Sequence, residues 1–90
     1  MGRWHSSRTD VTAKPFADYF TAHGATVLHL GRPMDWLVIY QGQMRLVDPK
    51  GSVRTPVTPT QAKLLREFPD LAFLVFDEAD CAAVLEGMRG

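Results

Sequence analysis

The sequence predicts a small α/β domain in which a mixed β-sheet is flanked by helices. Three observations carry this. Four short apolar runs, at 27–30, 36–40, 44–48 and 71–76, have the length and composition of strands. Three other stretches show helical spacing or helix-start chemistry. One of those helices falls between the third and fourth runs, where a crossover to a parallel strand requires it.

In chain order, residues 1–11 show no period and are expected as a flexible N-terminal arm, leaving 12–90 as a single domain. Phe16, Tyr19, Phe20 and His23 fall at i, i+3, i+4 and i+7, one face of a helix. Pro15 suits the first turn of that helix and Gly24 the left-handed position just past its end. Val27–Leu30 is a short strand stopped by Gly31-Arg32-Pro33. Trp36–Tyr40 and Met44–Asp48 are strands joined through a two-residue turn at Gln41-Gly42. Thr58-Pro59-Thr60-Gln61 has a capping threonine, a first-turn proline and a glutamine three residues on, so a helix starts there and runs to about Phe68. Leu71–Phe76 is apolar almost throughout, as a buried and parallel strand would be. Asp77 caps a last helix through Met88.

Ninety residues allow one domain with a thin core. A 46% hydrophobic content and a mean hydropathy of -0.11 exclude a disordered tail. No apolar run approaches the roughly 20 residues that cross a bilayer, and the first residues lack a hydrophobic signal core. The single cysteine, Cys81, excludes a disulfide framework and a cysteine-based zinc site, and it reads as a small buried hydrophobe. The expectation is an intracellular, cytoplasmic protein without a membrane partner. The formal net charge of zero hides a division. Residues 1–66 carry nine Lys/Arg against four acids, and residues 67–90 one against six. The basic stretch offers a phosphate-facing surface, and a scattered solvated surface is the competing reading. His5, His23 and His29 share no metal-ligand spacing.

The hairpin is the informative feature. With Gln41 and Gly42 at the turn, Tyr40 faces Gln43, Val38 faces Arg45 and Asp35 faces Asp48. Lys50 follows on the same sheet face as Asp48. Two facing carboxylates repel. One of them protonates, Lys50 neutralises part of the charge, or a divalent cation sits between them. The last arrangement suits phosphodiester hydrolysis, with Lys50 orienting the nucleophile or meeting the phosphate. An ordinary surface Asp–Lys pair at a hairpin end is the bland alternative.

Gly31-Arg32-Pro33-Met34-Asp35-Trp36, the hairpin, Asp48-Pro49-Lys50-Gly51 and Thr58-Pro59-Thr60-Gln61 together resemble the PD-(D/E)XK nuclease superfamily. Within it they are similar to the small VRR-NUC branch, common in phages and prophages, over about residues 13–86. The resemblance implies a restriction-endonuclease-like αβββαβ core and an Mg²⁺- or Mn²⁺-dependent DNA endonuclease. Some members cut branched DNA and work as homodimers, and the source implied is bacterial or phage. Asp35 and Asp48 would hold the metal, Lys50 would be the signature lysine, and Gln61 would orient a phosphate or water. Three features depart from the pattern: Met34 precedes the first acid where proline is usual, Asp-Pro-Lys replaces Glu-x-Lys, and Thr12-Ala13-Lys14-Pro15 lacks an early acid. They motivate an alternative, a weak or inactive nuclease-fold module that binds nucleic acid or a protein partner. Gln61 also has a purely structural reading as the third residue of the capping box. Arg32 and Arg54 in loops, with Arg45 and Lys63 on neighbouring elements, are candidate phosphate contacts, and each is otherwise a solvated charge. Trp36 has opposite parity to Asp35 and is expected under a helix, while Trp4 in the arm is a candidate for stacking on bases or for crossing to a second subunit. His29 is expected to be structural.

Overall fold

The computed structural model describes residues 4–52 and 54–89, residues 4–12 by backbone alone. Along the chain run α1 (Trp4–Ala22), β1 (Thr26–His29), β2 (Trp36–Tyr40), β3 (Gln43–Pro49), α2 (Pro59–Glu67), β4 (Ala72–Val75) and α3 (Glu78–Met88). The strands form one sheet in the order β1-β2-β3-β4. The first two pairings are antiparallel, and β3 pairs with β4 in parallel across the α2 crossover. This is the α/β architecture the sequence predicts, in the same element order, α3 included.

The β2–β3 hairpin sets the register. Gln41 and Gly42 both take positive φ, 52° and 77°, the signature of a type I′ turn whose twist matches the flanking strands. Tyr40 therefore pairs with Gln43, Val38 with Arg45 and Trp36 with Val47. Side-chain alternation then sends Trp36, Val38, Val47 and Val75 to one face, where they are buried. Phe20 of α1 closes on them, its ring edge-on to Trp36 at 6.3 Å. From α3 come Cys81, Val84, Leu85 and Met88, at i, i+3, i+4 and i+7. Trp36 and Cys81 thus lie where the sequence predicts. Burial and the neighbouring acids push the Cys81 thiol up to about 12, so it packs as a neutral apolar group.

The opposite face is only partly covered. There α2 packs against β4, while Leu28 and Met44 remain 44% and 54% exposed. The register places Leu28, Leu37 and Leu46 side by side across β1, β2 and β3. An apolar strip therefore faces outward beside the acids considered below.

One expectation needs correction. In place of an arm over residues 1–11, helix α1 already begins at Trp4, and Pro15 lies inside it rather than in its first turn. No glycine or proline stands between residues 4 and 14 to stop a helix earlier. Proline removes one backbone bond from a helix interior. Here the turns on either side are anchored, Ala13 and Phe20 being buried and Phe16 packing against the core. Residues 1–3 of the expected arm, and the side chain of Trp4, lie outside the described residues.

Gly42 tests the turn. With φ at 77°, alanine there carries a left-handed penalty of about 1 kcal/mol. Urea unfolding of Gly42→Ala should show a lower midpoint with an unchanged slope.

Candidate active site

Four segments converge at one end of the sheet: the loop between β1 and β2, the end of β3, the chain that follows it, and the start of α2. The first is pinned from several sides. The Asp35 carbonyl accepts the Leu30 and Gly31 N–H groups, at 2.7 and 3.2 Å. Met34 is fully buried and anchors the loop from within. It fills the position where the resembled pattern has proline, so the departure at Met34 keeps the loop fixed by packing.

One residue beyond the last β2–β3 pair, the Asp35 N–H donates to the Asp48 carboxylate at 2.9 Å. Asp35 and Asp48 therefore meet through backbone and side chain. The other Asp48 oxygen pairs with Lys50 Nζ at 2.9 Å. Lys50 Nζ donates further to Gln61 Oε1 at 3.0 Å and to the Pro56 carbonyl at 3.1 Å. All three ammonium protons are thereby engaged. Asp48, Lys50 and Gln61 are 4%, 6% and 6% exposed, so this is a buried ion pair, far from the bland surface pair.

Gln61 serves two elements at once. Its backbone N–H donates to Thr58 Oγ1 and its Oε1 accepts the Thr58 N–H, completing the capping box of α2. Its Nε2 donates to the Pro33 carbonyl at 3.0 Å, reaching across to the loop that carries Asp35. The capping and site readings hold together, because one amide does both.

Pro49 is harmless here. Leu46 and Lys50 donate their N–H groups to Leu71 and Val75 of the β4 side. The intervening odd positions turn their nitrogens toward β2. The β2 pairing ends at Trp36 opposite Val47, so at Pro49 there is no ladder partner to lose.

The Asp35 carboxylate itself has no hydrogen-bond partner among the described residues. Its pKa is raised, first by burial and then by the Asp48 charge, while Lys50 and His29 pull it down. Asp35, Asp48 and Lys50 together carry a formal charge of −1 when ionised. Two carboxylates, one of them unpartnered, suit a hard cation that takes oxygen ligands and keeps several waters. Asp35 and Asp48 supply carboxylate oxygens of the kind Mg²⁺ or Mn²⁺ takes. No group of three or more His, Cys, Asp or Glu residues is assembled anywhere among the described residues.

The four basic candidates divide. Arg32 is exposed in the β1–β2 loop beside Pro33, next to the cluster. Arg54 is exposed in the chain segment that Lys50 ties at Pro56. Arg45 is not brought to the site. It has the opposite parity to Asp48 on β3, and its guanidinium donates to Gln43 Oε1 and the Met44 carbonyl. Lys63 is exposed and two residues from Gln61, a spacing that turns it away from Gln61 on the helix. His29, expected to be structural, is exposed, its ring edge-on to Trp36 at 6.0 Å. The Pro33 and Pro56 carbonyls and the Asp35 N–H were not foreseeable as site atoms, since side-chain identity says nothing of which backbone groups a loop turns inward.

No protein-family model, no curated protein and no solved structure matches this chain.

Two stability tests follow from this geometry. Removing one member of the buried pair, as in Lys50→Met or Asp48→Leu, should cost about 3–5 kcal/mol in urea unfolding. The double variant should be less destabilised than either single one, because it leaves no unpaired buried charge. Asp35 runs the other way. Its folded pKa lies above the unfolded value of about 3.9, so its contribution is fully stabilising below that pH and is lost as pH rises through the raised value. Asp35→Asn should therefore raise Tm at pH 7, with the gain shrinking toward pH 4 in a calorimetric pH series.

Proposed function

We propose that this chain is a divalent-metal-dependent DNA endonuclease that hydrolyses phosphodiester bonds, built on a nuclease fold of the PD-(D/E)XK type. The observation that supports it is the joining of Asp35 to Asp48 with Lys50 in the same buried cluster, an arrangement that leaves one carboxylate unpartnered and one negative charge uncompensated. Asp35 and Asp48 would hold Mg²⁺ or Mn²⁺. Such an ion, when bound, polarises a phosphoryl oxygen and lowers the pKa of the attacking water.

The chain's own residues supply the rest. Lys50 presents an ammonium to the phosphate or the nucleophile when it releases one partner. The Pro56 carbonyl is one of its two neutral partners and the most distant of the three, at 3.1 Å. Gln61 acts through Lys50 and through the Pro33 loop, as a positioning residue. One such site cuts one strand at a time, so breaking both strands of a duplex or junction takes two copies of the chain or two successive nicks.

A second reading has its own observation. Every Lys50 proton and both Asp48 oxygens already have partners, which is what a stable module without chemistry would also show. In that reading the fold binds nucleic acid, or a protein such as a host enzyme, and does not cut.

The deciding assay offers labelled single-stranded, duplex, flap and four-way DNA with Mg²⁺ or Mn²⁺. Cleavage is expected with metal and absent with chelator. Asp35→Asn, Asp48→Asn and Lys50→Ala should each lower the rate by about 100-fold or more. Asp35→Asn is the cleanest of the three, since it is expected to fold more stably than the parent. Binding without cutting by the parent chain supports the second reading and overturns the first.

A further inference from the structure

Beside the buried cluster a groove of about 750 Å³ runs between the β1–β2 loop and the start of α2, lined by Gly31, Arg32, Pro33, Thr58, Thr60 and Gln61. Two of these residues, Pro33 and Gln61, also belong to the cluster through the Gln61–Pro33 and Lys50–Gln61 hydrogen bonds. The groove therefore adjoins the cluster through Pro33 and Gln61, while Asp35, Asp48 and Lys50 stand outside its lining. No carboxylate lines it.

Its charge comes from one side chain. Arg32 is exposed and has no hydrogen bond or ion pair among the described residues, in contrast to Arg45 and Arg89, which are both engaged. The helix end adds little. Its first residue, Pro59, has no N–H, and the Gln61 N–H is already capped by Thr58. A free guanidinium with hydroxyls beside it suits a phosphate oxygen. The Gln61 amide in the lining is already spent on Lys50, Thr58 and Pro33, which leaves only the guanidinium and two hydroxyl protons free among the lining side chains.

We propose that this groove binds the sugar-phosphate backbone of a nucleic-acid strand as it leaves the acid pair, with Arg32 meeting a phosphate that is not the one cleaved, and that it does so without reading sequence. The inference rests on the nucleic-acid reading of the adjoining site, and it separates from hydrolysis. The strand is held by ordinary phosphate contacts whether or not it is cut.

The test uses the full chain with labelled single-stranded oligonucleotides of two unrelated sequences, in chelator, with anisotropy read across a salt series. Arg32→Ala should weaken binding about 5- to 10-fold for both sequences and lower the slope of log K against log salt by about 0.7. Arg89→Ala removes the same charge at the far end of α3 and should leave affinity and slope unchanged. An Arg32→Ala protein that binds like the parent overturns the groove, as does an equal loss in Arg89→Ala. A parent chain that binds no oligonucleotide overturns it together with the nucleic-acid reading. A parent chain that binds through Arg32 but does not cut with Mg²⁺ or Mn²⁺ overturns hydrolysis alone and leaves the groove standing.

Discussion

The buried ammonium of Lys50 organises this end of the molecule. A cation at 6% exposure is costly unless its protons are all used, and here they hold the end of β3, the chain at Pro56 and the first turn of α2 together. Each partner is itself tied elsewhere. Asp48 accepts the N–H of Asp35, and Gln61 caps its own helix while reaching the loop at Pro33. The β1–β2 loop is thereby fixed against three successive segments of the stretch from Asp48 to Gln61. In a chain of 90 residues with a thin core, such a network specifies geometry that apolar packing alone would leave loose. Its members are coupled, so substitutions within it will not act independently.

Asp35 is the exception inside this network, and the contrast is informative. Every other charged or amide group in the cluster has partners, whereas its carboxylate has none among the described residues and is pushed toward its neutral form. A half-buried carboxylate left without a protein partner in this way is a candidate for a role outside folding. In the proposed function that role is to hold a cation shared with Asp48. The cluster thus holds a saturated half, Asp48, Lys50 and Gln61, and an unsaturated one, the Asp35 carboxylate.

Much of this was legible in the residues. The Gln41-Gly42 turn sets a register in which Asp35 falls opposite Asp48, and the observed pairing continues to Trp36 and Val47, one step short of them. Thr58, Pro59 and Gln61 announce the start of α2 because capping chemistry is local. The crossover between β3 and β4 follows from a helix that intervenes between strands. Where the reading failed, a non-local force had decided the outcome. The length of α1 depends on core anchoring around Pro15, which outweighs the local preference of proline for a first turn. The burial of Lys50 depends on carbonyls that loops turn inward, and no side-chain pattern encodes those. Arg45 and Lys63 are the exceptions with a local cause: strand parity and helix spacing alone turn them from the site.

The outward apolar strip on β1–β3 has a consequence for handling the molecule. Leu28 and Met44 stand exposed on a protein whose sequence pI is about 6.8, so near neutral pH little electrostatic repulsion keeps copies apart. Exposed apolar side chains, this strip among them, then weigh more in its colloidal behaviour, and the solubility minimum lies close to the pH at which most assays are run. Buffers one to two pH units away from neutrality restore a net charge and with it dispersal in concentrated solution.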